Sequence, residues 1–381
     1  MIAIPPALSN TIARIYFDLI KVRIFERIHL ISMVMDVLGG NQPLSSIQHD
    51  AANGNSKISV ANFFVNGNLI KTLADLPKLK MSNAHNWVST YNSTLRNILT
   101  HFNHEMRLRK IILVSPTNAA TVDRELKRRF KMMTGNSGKK AILTKFVNFI
   151  LDYEGMHKYV AYQVGIELGI DCCPYCNRMP NQTIVDENDN GVIRPAFDHF
   201  LSQSHYPFLA LSFFNLVPCC FYCNTSLKGG KKLSINTHLN PFLHGYGQDC
   251  VFKANLKNLH ADISHPDNFE VRLHCVIPAT NPKYRRIVGN NLSEGNINLF
   301  KLNSLYYSHR DIIGELWLKA QKYSSGHQGA LFTSLGLRQE EKEKFYRLYF
   351  GNYRNEDDFV KRPLSKLTHD IIREMLPDLF V

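Results

Sequence analysis

Four cysteines in two Cys-x-x-Cys pairs, Cys173 with Cys176 and Cys220 with Cys223, carry the clearest chemical signal in this chain of 381 residues. Two such knuckles supply four thiolates, the ligand set of a closed tetrahedral structural zinc site. Cys172 and Cys219 stand beside them, but three residues on from each is a tyrosine, Tyr175 or Tyr222, so only one register gives two knuckles. The competing reading is a set of buried free thiols, because cysteine is among the most buried residue types. Two pairs in register weigh for zinc. The 43 residues from 177 to 219 exceed the about 15 to 20 of a plain zinc ribbon, so something is inserted between the knuckles.

The insert and its edge hold polar residues that a scaffold alone does not require: Asp198-His199, Asn215 and Asn224. Asn215 lies among Phe213, Phe214, Leu216 and Val217. A buried amide without a partner costs a few kcal/mol, so this one should be hydrogen-bonded to something specific. The elements that would position these residues are short. Residues 181–186 and 192–197 flank Asn188-Asp189-Asn190-Gly191, a strong hairpin signal. Pro195 places the second strand at an edge or a bulge. From Cys223 the pattern turns helical and Gly229-Gly230 ends it, with Asn224 and Lys228 four apart on one face.

In this order of strand, Asp-His, loop, strand with Asn and helix with Asn, bracketed by Cys-x-x-Cys pairs, the stretch 172–230 resembles the HNH endonucleases, the ββα-metal nucleases, in their zinc-stapled form. Asn215 comes 16 residues after His199 and Asn224 nine after Asn215, which is the family's spacing. The chain departs from the commonest family pattern, in which a proline comes soon after Asp-His; here the first is Pro207.

The resemblance implies a role for each position. His199 would be the general base, since a neutral imidazole can take a proton from water near neutral pH. Asp198 would bind the catalytic divalent ion, Mg²⁺ or Mn²⁺, through a hard carboxylate oxygen. Asn224 would be the second protein ligand, and Asn215 would brace the loop that carries the histidine. Adjacent strand residues point to opposite faces, so Asp198 and His199 can serve one site only where the strand ends. Lys228 and His205 are candidate phosphate contacts. For Lys228 a solvated helix-end lysine is an equal alternative, and for His205 the surface-loop reading is favoured.

The fold class expected is α+β, with mainly helical N- and C-terminal regions around a small zinc-bound core. The expected division is a helical, basic, nucleic-acid-contacting domain over 1–155, the zinc-stapled nuclease core over 156–236, a small β-rich extension over 237–295 and a helical region over 296–381. Within these, helices are expected over residues 9–38, 88–101, 121–133 (with Thr121 as N-cap), about 140–168, 296–323, 338–350 and 363–376, and a Gly/Asn/Ser-rich loop over 39–54. His309 and Arg310 read as surface residues rather than site residues.

Net charge is +13, which in a soluble protein most simply meets a polyanion. Between Glu105 and Lys145 eleven Lys or Arg face three acids; solvated helix faces are the bland explanation, and a phosphate-backbone surface is favoured. Six of the eight cysteines cluster at the knuckles, which suits metal binding in a reducing cytoplasm rather than a secreted disulfide scaffold. No apolar run is long enough to span a membrane, and no signal peptide is read at the start.

The leading expectation is therefore a metal-dependent endonuclease acting on DNA. RNA cleavage by the same chemistry and a zinc-scaffold nucleic-acid or partner-binding module without catalysis are the alternatives. By fold-level analogy the resemblance extends to bacterial restriction or phage-defence effectors, including those that work beside an ATPase, so an ATPase or other defence-system protein is a candidate partner.

Overall fold

A computed structural model of the chain describes every residue except 39–80, 134–136, 259, 261, 264, 292, 324, 335, 337, 339, 340 and 381. The loop expected over 39–54 lies outside the described residues. The chain divides into two compact units. One comprises residues 13–160 with 203–215, the other residues 1–12, 161–202 and 216–381. Helices combine with three two-stranded antiparallel sheets, an α+β arrangement. Among the described residues no helix is long and apolar enough to cross a membrane.

The first unit is helical. It takes α1 (Pro6–Leu38) from residue 13 on, where Ala13, Tyr16, Phe17, Ile20, Ile24, Ile28, Ile31 and Met35 are buried in a stripe at helical spacing. The apolar excess that blurred its polar face in the sequence is partly solvent-facing, since Val22 is half exposed. Next come α2 (Met81–Phe102), α3 (Glu105–Ile112) and α4 (Pro116–Arg129). The last starts at Pro116 behind Ser115, not at Thr121, because proline with its fixed φ suits the first helical position. The helix expected from 140 to 168 is three: α5 (Ser137–Ile150) and α6 (Tyr153–Tyr159) in this unit, and α7 (Ala161–Leu168), which belongs to the other. The break after α5 is set by Asp152, whose carboxylate accepts the Gly155 N–H and starts a new turn.

Residues 203–215 are built into this helical unit. Phe208 stacks on Phe102 with ring centroids 6.0 Å apart and lies 5.8 Å from Phe130. Its N–H donates to the buried Asp123 carboxylate, which also pairs with Lys127. Tyr16 Oη donates to the Leu211 carbonyl and Ser212 Oγ to that of Ile111.

The second unit holds the sheets. β1 (Ile184–Val185) pairs with β2 (Gly191–Ile193) as the hairpin expected, its turn closed by Asp186 accepting the N–H groups of Asn188 and Asn190. The second strand does not continue to Phe197 in that sheet. Arg194 and Pro195 break it, and β3 (Ala196–His199) pairs instead with β4 (Leu216–Cys219), matching Asp198 to Val217 and His199 to Leu216. Proline, lacking an N–H, marks the point where the chain changes partners. After β4 a wide-turned helix spans Tyr222–Lys228 and stops at Gly229, which has φ +50. The β-rich run expected after it is a hairpin of β5 (Cys250–Leu256) and β6 (Phe269–Cys275).

Toward the C-terminus come α8 (Pro282–Ile287), α9 (Asn296–Leu299), α10 (Leu302–Tyr307), α11 (Arg310–Lys322), α12 (Ser325–Ser334), α13 (Lys342–Phe350) and α14 (Ser365–Met375). The region 296–323, read as one helical pattern, is interrupted at Lys301, which takes a left-handed φ of +50. In α14 the buried Lys366 ammonium binds both Asp370 oxygens and the Gly247 carbonyl, while Asp370 accepts the Phe252 N–H of β5. A buried pair this fully hydrogen-bonded fixes the helix against the hairpin.

Candidate metal centre and the Asp-His step

The first knuckle is shaped by Asn177, the residue just after it. In a left-handed conformation at φ +48, Asn177 receives the Lys366 N–H on its side-chain oxygen and donates from Nδ2 to the Phe359 carbonyl and the Cys172 sulfur. Its own N–H reaches back to the Cys173 carbonyl at 2.7 Å, closing the turn that carries Cys173 and Cys176. Tyr306 Oη donates to the Cys176 carbonyl at 2.6 Å. The second knuckle is the end of β4 and the start of the wide helix, where the Asn224 N–H bonds the Cys220 carbonyl.

These two turns bring the Sγ atoms of Cys173, Cys176, Cys220 and Cys223 within 4.8 Å of one another, and all four residues are buried. A tetrahedral ion with bonds of about 2.3 Å to sulfur needs S···S separations of about 3.8 Å, so the group could hold a metal ion such as zinc. Cys172 and Cys219 are buried nearby but fall outside the group. Burial pushes the Cys173 thiol well up, while a hydrogen bond from Cys173 holds Cys176 well down. A sulfur cluster that shares its protons in this way is stabilised when a cation replaces them.

Asp198 and His199 end β3. Asp198 is 3% exposed while His199, the last residue of the strand, is half-buried. Asp198 is held at both oxygens. Tyr175 Oη donates to Oδ2 at 2.8 Å, and Lys228 Nζ donates to Oδ1 at 2.6 Å and to the His199 carbonyl at 2.8 Å. Lys228 is 4% exposed, so of its two equal readings, phosphate contact and solvated helix-end lysine, the second does not hold. Tyr175 stacks on Phe300 with centroids 4.5 Å apart, and burial and the Asp198 charge push its phenol well above the usual range.

No protein-family model, no curated protein and no solved structure matches the chain. Its chemistry has to be read from the site itself.

The other expected residues lie farther from this centre or along its helix. Asn224 is on the wide helix one turn before Lys228 and is half-buried. Asn215 does not sit within a strand: it closes a short 3-10 turn before β4, belongs to the helical unit, and donates from Nδ2 to the Leu209 carbonyl at 3.3 Å. His205 is exposed in that same segment, with Ser204 Oγ 3.0 Å from its Nδ1 and its carbonyl accepting from Lys127. Arg310 pairs with Asp267 and lies over the Tyr307 ring. Of the basic residues between 105 and 145, Arg107, Lys110, Arg124, Arg128, Arg129, Lys131 and Lys140 are exposed.

Sequence reasoning missed Tyr175 as a partner of Asp198 and used it only to set the cysteine register. The signal was its position between two metal-ligand candidates, where an aromatic hydroxyl once buried must find an acceptor. It also missed Asn177, whose left-handed backbone has no sequence signal beyond asparagine's tolerance of that region.

Proposed function

We propose that the chain is a metal-dependent endonuclease of the HNH type that hydrolyses phosphodiester bonds in DNA, with a structural zinc ion on Cys173, Cys176, Cys220 and Cys223. One observation carries this reading. The strand ending in Asp198-His199 pairs with the strand that runs into the second knuckle, and the helix after that knuckle returns Lys228 to Asp198 and to the His199 carbonyl. A strand pair and a short helix, stapled by sulfur, thus meet at one Asp-His step.

The donor chemistry at Asp198 fits a hard divalent ion. Each of its oxygens keeps a second lone pair beyond the bonds from Tyr175 and Lys228. Carboxylate oxygen, with the Asn224 amide as a second protein donor, suits Mg²⁺ or Mn²⁺ and leaves most positions to water and phosphate. When bound, the ion supplies polarisation of the phosphate and stabilisation of the leaving oxygen. His199 takes a proton from a water molecule as the water oxygen bonds to phosphorus. The bond from phosphorus to the leaving sugar oxygen breaks, and that oxygen is protonated from solvent. Asn215 holds the end of the segment that returns from His199 to β4. The exposed arginines and lysines between Arg107 and Lys140 suit contact with the phosphate backbone, without reading sequence.

The test is cleavage of supercoiled plasmid by the purified chain with Mg²⁺ or Mn²⁺. Parent protein should nick and linearise the plasmid. The His199→Ala variant should do neither while keeping its zinc, and equal cutting by that variant would remove His199 as the base. Labelled RNA in parallel decides the substrate class: RNA cut with plasmid intact would make the enzyme a ribonuclease. A parent that binds nucleic acid and cuts neither would be a zinc-scaffold binding module.

A further inference from the structure

Four cysteines lie outside the metal cluster: Cys172 and Cys219 adjoin its ligands in sequence, and the other two stand in the β5–β6 hairpin. Cys250 opens β5 and Cys275 closes β6, and they are Cα partners in the register of that hairpin. The hydrogen bonds around them fix the type of pairing. The Val276 N–H bonds the Asp249 carbonyl and the Lys257 N–H the Asn268 carbonyl, which makes those two positions hydrogen-bonded pairs at the two ends of the ladder. Hydrogen-bonded and non-hydrogen-bonded pairs alternate along an antiparallel ladder, so Cys250 and Cys275 form a non-hydrogen-bonded pair. Two further bonds agree: the N–H groups of Phe252 and Leu273, partners in the same class, point away from the ladder to Asp370 and Asn303.

In a non-hydrogen-bonded pair the Cα atoms lie about 4.5 Å apart and the side chains approach each other on one face. That separation is at the short end of the range a disulfide spans, about 4.4 to 6.8 Å. Both thiols are free, Cys250 buried and Cys275 part-exposed at the end of the ladder. The face is the core-facing one, shared with Phe252 and Leu273. One thiol is therefore part-exposed to a small reagent while its partner is buried beneath the surface.

We propose that Cys250 and Cys275 are a dithiol modification site, which a peroxide converts to an intramolecular disulfide. Cys275 sulfur attacks one peroxide oxygen, the O–O bond breaks, and a sulfenic acid and one water are formed. Cys250 sulfur then attacks the Cys275 sulfur, expelling the hydroxyl as a second water, so two thiols and one hydrogen peroxide give one disulfide and two waters. Burial pushes the Cys250 thiol up to about 12 and raises that of Cys275 too, which makes the reaction slow and sets Cys275, the less buried, as the point of entry. The disulfide would close the loop of residues 251–274 and lock the hairpin where α14 docks through Asp370. This site is independent of the nuclease reading.

The experiment treats the zinc-loaded full chain with hydrogen peroxide and tracks intact mass, linked peptides and zinc content. The expected result is loss of two hydrogen masses, a linked peptide joining Cys250 to Cys275, unchanged zinc, and an unfolding midpoint raised by several degrees that dithiothreitol reverses. The Cys275→Ser and Cys250→Ala variants, each read separately, should lack the linked peptide and the shift. Accumulation of sulfinic acid on Cys275 with Cys250 still alkylatable would overturn the proposal. So would release of zinc before any linked peptide forms.

Discussion

Lys228 Nζ lies 2.6 Å from Asp198 Oδ1, and the two side chains are 4% and 3% exposed. A buried carboxylate is thus neutralised from within the chain, at the residue that the proposed mechanism assigns to a divalent ion. A cation bound at Asp198 and the Lys228 ammonium would compete for one charge.

Replacing Lys228 with methionine tests that competition. The variant leaves the Asp198 carboxylate buried without its counter-charge, which should cost about 3 to 5 kcal/mol of stability in the absence of divalent ions. Mn²⁺ should then stabilise the variant much more than the parent, read as the shift in urea midpoint on adding the ion. If Mn²⁺ moves both proteins equally, Asp198 is not where the cation binds.

Tyr175 acts on the other oxygen of the same carboxylate. Removing its hydroxyl in Tyr175→Phe leaves the ring stacked on Phe300 and takes away one hydrogen bond to a buried charge. The expected loss is about 1.5 to 3 kcal/mol, with zinc content unchanged because the sulfur ligands are untouched. Loss of zinc in this variant would mean that the hydroxyl fixes the knuckle rather than the carboxylate.

The metal itself is tested by exchanging one ligand. Cys220→Ser should lower zinc content and unfold the unit that holds the knuckles, since structural zinc binding is largely folding free energy. A chelator should do the same to the parent, reversibly on adding Zn²⁺. Far-ultraviolet circular dichroism with zinc titration reads both. A Cys220→Ser protein of parental stability would contradict the staple.

What could be read from the sequence was local. The register of the two knuckles, the Asn-Gly hairpin and the helix stopped by Gly229 each depend on residues a few positions apart, and the structure has all three. What could not be read was long-range. Lys228 and Asp198 are 30 residues apart, and nothing near either announces the other. The segment 203–215 reads as a loop running into an Asn-bearing strand, yet Phe208 and Tyr16 tie it into the helical unit through hydrogen bonds that span 85 and 195 residues. Pro195 carried the right signal for the wrong conclusion: it marked an irregular strand, where the chain in fact leaves one sheet for another.

Two buried histidines contribute to the acid side of the stability profile. Burial lowers both His101 and His238 to about 4, helped at His101 by the charges of Arg129 and Arg107. The unfolded chain binds a proton at each site as pH falls through about 6.5, whereas the folded chain does not until pH nears 4. Within that window the unfolded state holds more protons, so stability falls as pH falls; above 6.5 this contribution is fully present and flat. Asp123, whose carboxyl burial pushes up, works in the opposite sense near its own titration, so a difference between two proteins is the clean reading. His101→Phe keeps an aromatic ring in contact with Phe130 and removes one of these titrating groups. Its urea midpoint should therefore decline less steeply than the parent's between pH 6.5 and 4, the two curves running parallel above that range; curves parallel throughout would show that His101 titrates alike in both states.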